Sequence, residues 1–338
     1  MTDAAAISKT TISPPSRFAA TLWLTVACLC WGWSFCAMPM ATQVLMPRAG
    51  EGAWSLLAVV ATFIAWRFWL AAVLYAGLNW RALNSFTCAD LLGGLAVGLT
   101  FAGGIFLQML GLRYALPSAS GFITSMPVVL LPLIQAFWLK RPLRPVSLWV
   151  VAIGLSLVGL ACFGFSAAPA QAVPPFRFYG ELLTLCGTFF FTAQILSVDH
   201  FGARADPIKL TLLMFVTTAL VATAVSLAVP GGAALWGASG LAALRQEREL
   251  QVALVSMVIF SSVLAFHLMN RFQPRLTPTM AGIIYCLEPV FATMWSLGLG
   301  MEQMRLNLAC GGTCILLALI LASCTPPTAA NTRQRRES

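Results

Sequence analysis

Apolar residues fall along this chain in blocks of about 20, without the alternation of a barrel strand. Blocks of that length match a helix crossing a bilayer, where each backbone polar group must be satisfied within its own segment. They recur near 18–38, 53–79, 91–112, 116–139, 146–165, 179–198, 208–229, 250–270, 276–299 and 306–324, which predicts ten helices. Most connections are short. The exceptions, 166–177 and 230–249, collect Pro, Gly, Ala and charge. Residues 1–17 are rich in Ser, Thr, Ala and Pro, and no small-residue cleavage pattern leads into a polar mature domain. The first run therefore reads as a retained helix rather than a removed signal peptide.

Composition strengthens this pattern. The 338 residues are 59% hydrophobic and 9% charged, with a mean hydropathy of +0.85. A soluble domain carries roughly 25% charged residues to cover itself, so lipid must be the solvent for most of this surface. The formal charge of +9 would suggest nucleic acid in a soluble protein. Here the positive-inside rule accounts for it. With the N-terminus in the cytoplasm, the inner loops hold Lys9, Arg17, Arg81, Lys140, Arg141, Arg144, Arg204, Lys209, Arg271, Arg275 and the C-terminal arginines. The outer loops hold Arg48, Arg113, Arg177, Arg245, Arg248 and Arg305, about half as many. Both termini are thus expected in the cytoplasm, in tails 1–17 and 325–338. The ten cysteines lie mostly within apolar runs, behave there as small hydrophobes, and show no zinc-ligand spacing.

An internal repeat supplies the architecture. Pro127 precedes Lys140 by 13 residues and Pro289 precedes Glu302 by 13, in Met-Pro-Val and Glu-Pro-Val contexts 162 residues apart. Five helices per half is an odd number, so the second copy must be inverted in the bilayer. That build is common among secondary transporters, with the substrate near the midplane. The expected fold is an all-α polytopic membrane protein with ten transmembrane helices as two inverted five-helix repeats, 18–165 and 178–324, joined by a linker at 166–177.

Four motifs resemble the EamA-type proteins of the drug/metabolite transporter superfamily. Cys30-Trp31-Gly32-Trp33-Ser34-Phe35 is similar to the first-helix signature, and Arg67-Phe68 with Leu70-Ala71-Ala72 resembles the second-helix pattern. Gly121-Phe122-Ile123-Thr124-Ser125 leading to Pro132 is similar to the fourth. Leu287-Glu288-Pro289-Val290-Phe291-Ala292, with Gly300 and Glu302 beyond, resembles the ninth. The likeness runs from about residue 20 to 322. Departures are Lys140 where the first half often has Glu, Met301 before Glu302, and His267. The resemblance implies ion-coupled or facilitated export of a small metabolite, amino acid or drug across a bacterial inner membrane.

The residues themselves nominate a site. Glu288 lies about twelve residues into its helix, roughly 18 Å deep, where an ionisable group costs about 2.5–3.5 kcal/mol or more. It must face a cavity or a partner, and substrate-amine binding or proton coupling competes with a structural helix contact. Pro289 beside it removes a backbone hydrogen bond and exposes carbonyls. Arg67 sits at comparable depth from the other side. It would hold a substrate carboxylate bidentately, pair with Glu288, or serve as a structural ion pair. His267 lies one turn before Arg271, near the cytoplasmic mouth, where an interfacial hydrogen-bonded histidine competes with a titrating one. Gln108, Gln135 and Gln194 either tie helices together or line a path. Trp31 and Phe35 offer surfaces for stacking, against an interfacial belt as the alternative. The glycine-rich third helix suits close packing.

No cofactor and no metal site is implied. The partners expected are a small-molecule substrate, a coupled proton or other ion, and the lipid bilayer. Nucleic acid is not among them, and a homodimer is compatible with a sequence that leaves oligomeric state open. None of the three lysines follows a glycine in a Walker A arrangement. A membrane-embedded enzyme would need clustered His, Asp or Glu, and two histidines with no paired carboxylates in any helix starve it of catalytic groups. A receptor would carry a soluble partner-binding domain that the short polar segments cannot supply. A channel is separated from a carrier only by saturable exchange.

Overall fold

The computed structural model describes residues 17–48, 55–115, 117–135, 146–164, 177–301 and 303–323. Lys140, Glu302, the C-terminal tail and nearly all of the 166–177 linker and N-terminal tail lie outside them. Every described element is helical. In chain order the helices are α1 (Arg17–Leu45), α2 (Ser55–Leu78), α3 (Cys88–Gly111), α4 (Pro117–Thr124), α5 (Pro127–Leu133), α6 (Val146–Gly164) and α7 (Arg177–Phe201). There follow α8 (Pro207–Ala228), α9 (Gly232–Trp236), α10 (Ala238–Gln246) and α11 (Arg248–Ser256). A π-helical segment (Met257–Leu264), α12 (Ala265–Phe272), α13 (Pro278–Tyr285), α14 (Glu288–Gly298) and α15 (Leu306–Ser323) complete the chain.

Seven spans are long and apolar enough to cross a membrane, α11 to α12 and α13 to α14 each forming one of them. Three shorter apolar helices, Ser120–Leu133, Leu148–Gly159 and Leu306–Leu321, occupy the fourth, fifth and tenth apolar runs. The chain is thus an all-helical membrane protein among its described residues. The 230–249 stretch, expected as one of the longer connections, folds into α9 and α10. Gly231 makes the reversal at φ +86°, which a side chain would strain, and Trp236 then caps the bundle edge by donating Nε1–H to Ser226 Oγ at 3.0 Å.

Close helix approach comes from the small residues. On α3, Gly93, Gly94 and Gly98 lie against α8, while Gly103 and Gly104 lie beneath Phe190 and Phe191 of α7. The opposite face of α3 exposes Leu92, Leu95 and Leu99, as a lipid-facing surface requires. In α1, a Cβ on Gly32 would stand 2.7 Å from Phe291 Cβ and 2.8 Å from the Ala292 amide nitrogen, so the Trp-Gly-Trp motif is the place where α1 meets α14. In a bilayer, helix association relies on such van der Waals contact and on interhelical hydrogen bonds rather than on water exclusion.

Two of the apolar runs are broken in the middle. Between α4 and α5, Ser125 and Met126 form a turn. Between α13 and α14, Cys286 and Leu287 do the same. The bonding is parallel: Ser125 and Met126 donate to Phe122 and Ile123, and Cys286 and Leu287 to Ile283 and Ile284, each three residues back. Proline is the cause. Pro127 and Pro289 have no N–H for the carbonyl four residues earlier. The Ile123 carbonyl, which takes the Met126 N–H, accepts a second bond from Thr188 Oγ1 of α7 at 3.1 Å. The broken helices also cross each other, with Gly121 of α4 against Pro289 and Gly282 of α13 against Val128 and Leu131.

Candidate functional site

At the level of the two breaks the bundle holds a partly open cavity of about 70 Å³, several times the ~10–15 Å³ that one water needs. Five residues expected from the sequence line it: Glu288, Arg67, Gln108, Trp31 and Phe35. The other two do not. Pro289 is buried at the start of α14 against Gly121. His267 points its Nδ1 at the Tyr75 hydroxyl, 2.7 Å away, outside the cavity. Gln194 lines the cavity and its amide reaches Met269 Sδ at 3.9 Å. Gln135 instead donates to Thr279 Oγ1 at 2.8 Å and ties α5's end to α13.

Glu288 is the first residue of α14. There it stands at the positive dipole end of a helix, which favours negative charge by about 0.3–1 kcal/mol. Among the described residues it has neither a hydrogen-bond nor an ion-pair partner. The Gln108 amide, 6% exposed and also in the wall, has none either.

Arg67, 2% exposed in the middle of α2, is held on one edge only. Its Nε–H donates to Ser262 Oγ at 2.7 Å and its Nη2 to the Ser261 carbonyl at 3.2 Å. Its guanidinium carbon lies 5.0 Å from the centre of the Phe68 ring. The acceptor carbonyl exists because residues 257–264 wind as a π-helix, whose wider turn takes carbonyls off the regular ladder. The same Ser261 carbonyl accepts the Trp31 indole N–H at 3.2 Å, and Ser261 Oγ donates to the Cys30 carbonyl at 2.5 Å. One irregular turn therefore orients both a cation and an aromatic side chain. Arg67 and Glu288 face the same cavity without forming an ion pair.

The remaining wall is aromatic. The Trp31 ring stands 5.3 Å from Phe266 and 5.6 Å, edge-on, from Tyr285, and Phe266 meets Phe101 edge-on at 4.7 Å. Tyr285 donates to Gln273 Oε1 at 2.6 Å, and Gln273 Nε2 in turn donates to the Ile195 carbonyl at 2.9 Å. Ser261, Ser262 and Tyr285 escaped the sequence reading. The Ser-Ser pair inside an apolar run, at the depth of Arg67, was the available signal. Nothing distinguished Phe266 or Phe101 among 22 phenylalanines.

Comparison with known proteins gives three findings. Residues 178–324 match the EamA-like transporter family. An uncharacterized transporter of Archaeoglobus fulgidus is 26% identical over 314 residues, spanning 91% of this chain and 86% of that protein. A solved structure described only as a crystal structure of a protein aligns at a TM-score of 0.57 and 21% identity, over 91% of this chain and 98% of that one, and so shares the fold.

Proposed function

We propose that this membrane transporter, whose residues 178–324 form an EamA-like domain, is a secondary carrier that moves a small organic solute by alternating access around the midplane cavity. The single observation that carries the reading is two ionisable groups, Glu288 and Arg67, facing one cavity at mid-span and not paired with each other. A structural pair would be closed and dry. Ionisable groups held apart across a cavity with room for several waters are what a site that is alternately filled and emptied needs. Glu288 is the coupling group, holding a proton or a substrate ammonium in one state and releasing it in the other.

The architecture proposed is ten helices in two inverted halves, 18–165 and 178–324, in a bacterial inner membrane with both termini cytoplasmic and net export of substrate. Helix pairing supports it. Exchanging the halves puts α1 for α7, α2 for α8, α3 for α11 to α12, α4 for α13, α5 for α14 and α6 for α15. The contacts α3–α7, α4–α7 and α4–α14 then become α12–α1, α13–α1 and α13–α5, all of which occur. The pairs α2–α8 and α6–α15 map onto themselves, and both occur as well. The breaks at 125–126 and 286–287, with the cavity beside both, support the reading, since inverted-repeat carriers bind substrate where half-helix ends meet.

Counterflow in proteoliposomes tests the function. A labelled panel of amino acids, nucleobases and organic cations is offered to wild type and Glu288→Gln side by side. Saturable exchange of at least one solute by wild type, lowered by about tenfold or more in the variant, is the expected result. Unsaturable flux would mean a channel. Exchange that survives Glu288→Gln unchanged would return Glu288 to a structural role.

A further inference from the structure

We infer that Arg67, held edge-on by the π-helical segment, is the receptor for a substrate carboxylate, so that the transported solute is a small carboxylate with an apolar body. The inference rests on the carrier reading above and names the chemistry its cavity selects.

A guanidinium has five N–H donors in a fixed plane. Arg67 directs its Nε edge at Ser262 Oγ and one Nη2–H at the Ser261 carbonyl. Nη1 has no protein acceptor among the described residues, and Arg67 lines the cavity. Among the described residues no carboxylate comes within ion-pair reach of it, and the Phe68 ring face lies beside its guanidinium. An arginine serving structure alone would spend all its donors on carbonyls or close a pair with an acid, since an uncompensated cation at this depth is costly. Arg67 has instead one edge anchored and the other presented, and the planar fork matches a carboxylate in two parallel hydrogen bonds. Trp31 is fixed by the same Ser261 carbonyl, so the anion receptor and the first aromatic wall are set by one turn. The apolar body would lie among Trp31, Phe101, Phe266 and Tyr285. Ser262 is the positioning residue: it touches the guanidinium, not the solute.

The test measures binding to the purified full chain by tryptophan quenching and thermal shift. The probes are two acid–amide pairs: L-phenylalanine with L-phenylalaninamide, and 3-phenylpropanoate with 3-phenylpropanamide. The acids are expected to bind at least about tenfold tighter than their amides, the scale of a charge-assisted hydrogen bond. Ser262→Ala should weaken the acids by about tenfold and leave the amides within twofold, and Ser262→Thr should restore the acids. Equal binding of acid and amide overturns the inference, as does a Ser262→Ala effect shared by both members of a pair. Failure of all four probes with cooperatively unfolding protein overturns it too. The metabolite-panel counterflow reports on the carrier separately, and exchange of a non-carboxylate solute there would leave the carrier standing without this inference.

Discussion

The two broken helices use one backbone device for different chemistry. At α4–α5 the break is neutral. Ser125 Oγ bonds back to the Gly121 carbonyl at 2.9 Å, Thr124 Oγ1 to Ser120 and Gly121, and Pro127 opens the following helix. At α13–α14 the corresponding helix opens with Glu288, and Tyr285 just before it reaches across to Gln273. The hydroxyls of the first break thus bond within their own helix, with Thr188 of α7 reaching in to the Ile123 carbonyl, whereas the second turns Glu288 to the cavity and Tyr285 to another element. A proline next to each interruption fixes where the helix breaks, and single side chains there decide which break carries charge. The charge opposite Glu288 comes from neither break but from the unbroken α2.

Substitutions can break or sharpen that contrast. Glu288→Gln is expected to lower exchange by about tenfold to a hundredfold, the worth of hydrogen bonds to a charged group, while Ser125→Ala leaves it within about twofold. Counterflow rates of the two variants decide this, and equal losses would erase the distinction between the breaks. Next in size is the crossing itself. A Cβ on Gly121 would lie 3.1 Å from the Pro289 Cα, so backbone must move. A Cβ on Gly282 meets mainly the flexible Leu131 Cδ1 at 3.0 Å. Gly121→Ala should cost about 1–3 kcal/mol by overpacking and Gly282→Ala less than about 1 kcal/mol, read as unfolding midpoints in one detergent. A larger loss from Gly282→Ala would reverse the expected order. Smallest is the hydrogen bond to Gln273. Tyr285→Phe should cost about 0.6–1.7 kcal/mol, the range for interhelical bonds in a membrane. Ser125→Ala, losing only a bond within its own helix, should cost a few tenths of that scale.

Much of this was visible before folding was considered. Glu288 and Arg67 stood out because charge inside an apolar run has few uses, and Pro127 and Pro289 marked the interruptions because proline cannot continue the ladder. Trp31 and Phe35 were legible through the motif around Gly32. His267 and Pro289, also singled out by the sequence, do not line the cavity. His267 points toward Tyr75, one helix away, and Pro289 packs inward although its neighbour Glu288 faces the cavity, because consecutive residues on a helix are about 100° apart. The role of Ser261 and Ser262 was hidden because a π-turn has no reliable sequence signature, and their partner Arg67 lies about 195 residues earlier in the chain.

The sequence by itself determined that lipid is the solvent, that the elements are helices, and which few ionisable residues lie at depth. These follow from composition and run length, which are local properties and depend on no neighbour. Only the tertiary structure decided that Glu288 and Arg67 share a cavity without pairing, and that one irregular turn aims both Arg67 and Trp31. Those outcomes depend on helix rotation and close approach, set by contacts between residues hundreds of positions apart, as where Gly32 lets α1 touch α14.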